Sequence, residues 1–89
     1  MNTKEKKQSV PKWFSGMIYE NGETVTNPFS GETYDLNGVE LSMYDFIMGS
    51  QYVMEVAPKT VTSKQINEFH KALRWFQQNN IDAYMVLLD

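Results

Sequence analysis

Pro58 separates two amphipathic segments, each opened by its own helix-start signal, and this arrangement restricts the fold more than any other feature of the sequence. Ahead of Pro58, Ser42 stands where an N-cap belongs. Asp45 follows three residues later as a capping-box partner, and Leu41 and Phe46 have the spacing of a hydrophobic staple. The predicted helix runs from Met43 to Val56, with Met43, Phe46, Ile47, Val53 and Met54 as its apolar positions, and Pro58 ends it. Gly49-Ser50 falls in its middle. A small residue there lets another backbone come close, at a cost of up to about 1 kcal/mol in helix propensity.

Beyond Pro58 the same logic recurs, with Thr62 as N-cap, Gln65 as its capping-box partner and Val61 against Ile66 as the staple. Ile66, Phe69, Leu73 and Phe76 then repeat at steps of three and four and predict one core stripe, until Asn79-Asn80 ends the pattern. The run from Ile81 to Leu88 is almost continuously apolar, and its periodicity fits a buried strand as well as a buried helix. A short helix starting at Asn80 is the preferred reading.

The half before Ser42 reads as β structure. Asn21-Gly22 sits between two runs rich in β-branched and aromatic residues, Met17 to Glu20 and Glu23 to Thr26, and predicts a hairpin with a two-residue type I′ turn. Asn27-Pro28-Phe29-Ser30-Gly31-Glu32 has the residues to reverse the chain again, and a third strand at Thr33 to Leu36 completes a small meander. Residues 1–12 are polar and carry Lys4, Lys6, Lys7 and Lys12, so they read as a flexible basic tail. The expected domain is 13–89. Its class is α+β, a small N-terminal antiparallel hairpin or meander followed by two longer helices and a short C-terminal helix.

Charge narrows the function. Between Trp13 and Pro58 there is no Lys or Arg, while Glu20, Glu23, Glu32, Asp35, Glu40, Asp45 and Glu55 are all acidic. Such a surface repels phosphate and argues against nucleic-acid binding by the folded part, because that binding draws most of its strength from cationic side chains. No cysteine is present, which excludes disulfides, thiolate metal sites and cysteine nucleophiles. No apolar stretch approaches the roughly 20 residues of a membrane-spanning helix, and the lysines at the start precede no apolar run of the secretory type. The expected location is cytoplasmic.

No catalytic, cofactor-binding or metal-binding residue is assigned. His70, the single histidine, has Ile66 and Arg74 as its i−4 and i+4 neighbours, and neither is a ligand. Asp35, Asn37 and Gly38 resemble a fragment of a calcium loop, but Phe46 stands where the closing Glu belongs, so a turn ahead of the first helix is the reading preferred. The candidate interaction surface is Trp75 with Ala72, together with Trp13 and Phe14. Trp75 lies nine residues after Ile66 and so on the opposite side of the helix, where the hairpin or C-terminal segment covers it or a partner does.

Four segments carry a resemblance to known proteins: Asn27 to Glu32, Tyr44-Asp45-Phe46-Ile47-Met48-Gly49, Ala72-Leu73-Arg74-Trp75-Phe76-Gln77-Gln78-Asn79, and the ending Ala83 to Asp89. Together they resemble small hypothetical proteins of tailed bacteriophages, including those infecting marine cyanobacteria. The resemblance implies a viral origin and a host-cytoplasm location, and it carries over no catalytic residue. The expected role is that of a small accessory protein, not an enzyme, acting by binding a protein partner or as a homo-oligomer. The alternatives are a nucleic-acid accessory factor using the lysine tail and exposed aromatics, or a minor virion component.

Overall fold

The computed structural model describes residues 8–89, and Lys4, Lys6 and Lys7 of the expected tail lie outside the described residues. In chain order the elements are β1 (Glu23–Thr26), β2 (Thr33–Leu36), α1 (Gly38–Val56), a short 3-10 turn (Pro58–Thr60), α2 (Ser63–Asn79) and α3 (Ile81–Leu87). The class is α+β, as the sequence predicts.

The sheet has two strands rather than three. β1 and β2 pair antiparallel with Val25 opposite Tyr34 and Thr26 opposite Thr33, so the hairpin turn is Asn27 to Glu32 and not Asn21-Gly22. No non-glycine residue described has positive φ, and Asn21 therefore cannot occupy a type I′ turn. Met17 to Glu20 instead run as an irregular segment against α1, where the Tyr19 N–H donates to Ser42 Oγ at 2.8 Å.

The true turn is densely bonded. Asn27 Oδ1 accepts from the Phe29 and Ser30 N–H groups at 2.8 and 3.3 Å, the Gly31 N–H donates to the Asn27 carbonyl at 2.8 Å, and Gly31 takes φ 80°, which suits glycine. Asn27 Nδ2 donates to the Val86 carbonyl at 2.9 Å and ties the turn to α3. At its tip Phe29 is 96% exposed. The ring therefore contributes nothing to the core. Phe29→Ala is expected to change unfolding free energy by less than about 0.5 kcal/mol in denaturant titration.

α1 begins five residues before the expected start. Asn37 is its N-cap, accepting from the Glu40 N–H at 2.8 Å while the Asn37 N–H donates to Glu40 Oε1 at 3.0 Å, a complete capping box. Ser42, expected as the cap, is fully buried one turn inside the helix and donates to the Gly38 carbonyl at 2.8 Å. Two cap-like spacings overlap here, and the earlier one prevails because the carboxylate of Glu40 has further partners. Its Oε2 accepts from Gln8 Nε2 at 3.0 Å and from Asn80 Nδ2 at 2.9 Å. Gln8 Oε1 in turn accepts from Asn37 Nδ2 at 3.0 Å, so Gln8, within the expected tail, is hydrogen-bonded to the start of α1.

α2 starts where the sequence predicts. Thr62 and Gln65 form a reciprocal capping box, with bonds of 3.1 and 2.9 Å. Its buried face holds Phe69, Ala72 and Phe76, while Ile66 is 40% exposed. The helix is thus turned by roughly 50° from the expected stripe, toward Ala72. The ambiguous C-terminal run is helical because Asn80 caps it, its Oδ1 accepting from the Ala83 N–H at 3.1 Å and from the Tyr34 hydroxyl at 3.3 Å. α1 packs on α2, and α3 bridges α2 and β2. Leu36, Leu41, Met43, Ile47, Phe69, Ala72, Phe76, Ala83 and Leu87 form the core between them.

Candidate functional site

Helical spacing puts Asp45-Phe46, Gly49-Ser50 and Val53-Met54 on one face of α1, since each pair lies four residues from the next. This face is only partly covered. Ser15 to Met17 run along one side of it, Val61 from the connection ahead of α2 and Gln65 and Glu68 from α2 line the other, and the space enclosed is a groove of about 410 Å³. Size alone puts it within the usual range for a ligand cleft.

The groove is apolar within and acidic at its edge. Met17, Phe46, Val53, Met54 and Val61 supply apolar surface, and Met17 and Val53 are 66% and 41% exposed. Among the described residues Asp45 and Glu68 are its only charged lining residues, with no Lys or Arg beside them. Phe46 is held by an edge-on contact with Phe14, ring centroids 5.3 Å apart, and Phe14 meets Trp13 edge-on at 6.2 Å. The Lys71 ammonium on α2 sits 5.9 Å from the Trp13 ring, within cation–π range. Trp13 and Phe14 therefore clamp the N-terminal segment across both long helices, just ahead of Ser15 to Met17, which line the groove.

Of the residues expected to form an interaction surface, Ala72 is fully buried and belongs to the core, so no surface can be centred on it. Trp75 is half-buried against that core and edge-on to Phe76 at 5.8 Å. The reason is the rotation of α2, which carries the Ala72 side inward and leaves Trp75 at the margin of the buried face. The structure does not bring Trp75 into the groove; of the expected set, only Phe14 touches a groove-lining residue.

His70 is exposed on α2, beside Phe69. Asn37 spends its side chain on the helix cap and on Gln8, and Gly38 is the first residue of α1, so the calcium-loop resemblance dissolves into a helix start. Among the described residues no three acidic or histidine side chains converge as a metal site, and no helix is long and apolar enough to cross a membrane.

Near the groove, burial together with the charge and hydrogen bond of Asp45 raises the Tyr19 hydroxyl above its ordinary range, and burial raises Tyr44 likewise. Both phenols have folded pKa values above the unfolded value of 10.0, so their contribution to stability is complete below that pH and disappears as pH rises through the folded values. Alkaline titration followed by tyrosinate absorbance is expected to show Tyr19 and Tyr44 ionising above the ordinary tyrosine range. Thermal stability should fall over the same interval.

Comparison with known proteins finds no matching family model, no matching curated sequence and no matching solved structure.

Proposed function

We propose that this chain is a small protein-binding accessory protein, of the tailed-phage kind its sequence resembles, which acts through the groove between α1, α2 and the N-terminal segment and not by catalysis. The observation that carries this reading is the open apolar interior of the groove. Met17 and Val53 expose aliphatic surface beside half-buried Phe46 and Met54, and contiguous apolar surface of this kind is stabilised when a partner removes it from water. The described lining has no histidine, lysine or arginine to activate its Ser15 and Ser50 hydroxyls or to work with Asp45 and Glu68 in proton transfer. The acidic rim likewise repels a phosphate backbone.

Gly49 provides the variant that tests it. Nothing among the described residues lies within 4 Å of where its Cβ would be, and it lines the groove, so Gly49→Leu fills the cleft without striking the fold. Replacing a helical glycine also favours the helix by up to about 0.8 kcal/mol. Selection of random peptides against the full chain is expected to enrich ligands that lose binding to Gly49→Leu while that variant melts no lower than the parent. Enriched peptides that bind both proteins equally would place recognition elsewhere.

A further inference from the structure

Four of the five glycines have a reason within the fold. Gly31 has positive φ, and a Cβ at Gly16, Gly22 or Gly38 would come within 2.6 Å of a neighbouring atom. Gly49 has none among the described residues: it sits in the middle of a nineteen-residue helix, where glycine is unfavourable by about 1 kcal/mol relative to alanine, and no described atom lies within 4 Å of where its Cβ would be. A glycine that the packing of the described residues does not require, in the lining of a groove, marks a place where a foreign backbone approaches the helix closely. The lining also specifies that backbone's side chains. Apolar surface from Phe46, Val53 and Met54 takes an aliphatic group, while Asp45 and Glu68 are the charged residues of the described lining, which holds no Lys or Arg.

From the open glycine, the apolar interior and the acidic rim together we infer that the groove binds a basic, aliphatic segment of a partner protein, whose backbone crosses α1 at Gly49 and whose lysine or arginine side chains face Asp45 and Glu68. This rests on the groove being the binding site and names its occupant. A small apolar molecule would satisfy the interior but would leave both the bare glycine and the one-signed rim unused. A second copy of this chain offers cations only from residues 1–12 and 59–74, because the stretch from Trp13 to Pro58 has no Lys or Arg.

The test uses fluorescence anisotropy of three labelled peptides against the full chain: one alternating leucine and lysine, one alternating leucine and glutamate, and one alternating serine and lysine. Only the first is expected to bind. Asp45→Asn combined with Glu68→Gln should weaken it by about tenfold, and Glu32→Gln, which removes a charge in the distant hairpin turn, should change it by less than about twofold. Gly49→Leu, with charge unchanged, should abolish it. If the leucine–lysine and leucine–glutamate peptides bind equally and both are lost in Gly49→Leu, the groove binds but the basic occupant is wrong. If the leucine–lysine peptide binds Gly49→Leu as well as the parent, both the occupant and the site are wrong.

Discussion

A chain ending at residue 82 is expected not to fold: its circular dichroism should show no cooperative thermal transition. Residues 83–89 contain Ala83 and Leu87, both core residues, and half-buried Tyr84, Val86 and Leu88 packed against that core. Burial of each large aliphatic or aromatic side chain contributes on the order of 2 kcal/mol, so removing several approaches the total stability of roughly 5–15 kcal/mol expected for one domain. The loss extends beyond apolar area. Asn80 would no longer have the Ala83 N–H as its partner, and Asn27 Nδ2 would lose the Val86 carbonyl that holds the hairpin turn to the helices. A truncated chain that melts cooperatively within a few degrees of the parent would show that α3 is peripheral.

The second large effect is expected at Glu40. This carboxylate is only 5% exposed, and it accepts from the Asn37 N–H, Gln8 Nε2 and Asn80 Nδ2. It joins the N-terminal segment, the start of α1 and the junction of α2 with α3. Glu40→Ala strips three donors of their acceptor and opens a void, a loss of about 3 kcal/mol by denaturant titration. Glu40→Gln should lose less, since one oxygen still closes the capping box, but its amide group would face the donor amide of Asn80. A loss under about 1 kcal/mol for Glu40→Ala would mean that water replaces the carboxylate without consequence.

Glu40 also shows why some of this structure was legible in the sequence and some was not. A capping box is a local device, so Thr62 and Gln65 announced the start of α2 correctly, and Asn80 announced α3. The start of α1 was obscured because Asn37-Glu40 and Ser42-Asp45 present the same spacing five residues apart. The choice between them is made by Gln8 and Asn80, which are distant in sequence and become neighbours only in the fold. The Asn21-Gly22 hairpin signal failed for a related reason. Gly22 is required, but by the Leu36 carbonyl, which lies 1.7 Å from where its Cβ would stand, and not by a tight turn.

For the candidate site, Trp75 was singled out by its angle to an expected stripe, and the stripe itself is rotated. Ala72 consequently lies inside. Gly49 was visible as a small residue in a helix, yet only the packed structure shows that no described segment of the chain makes use of it. The groove draws on three segments, and nothing in any one of them reveals the other two.

The central claim, that this groove is where a partner docks, is tested most directly by following the backbone amide resonances of the full chain as the leucine–lysine peptide is added. Perturbations are expected to gather at Gly49, Ser50, Val53 and Gln65, with little change at Phe29 or Trp75. Perturbations centred on Trp75 or Phe29, with the groove amides unmoved, would contradict it.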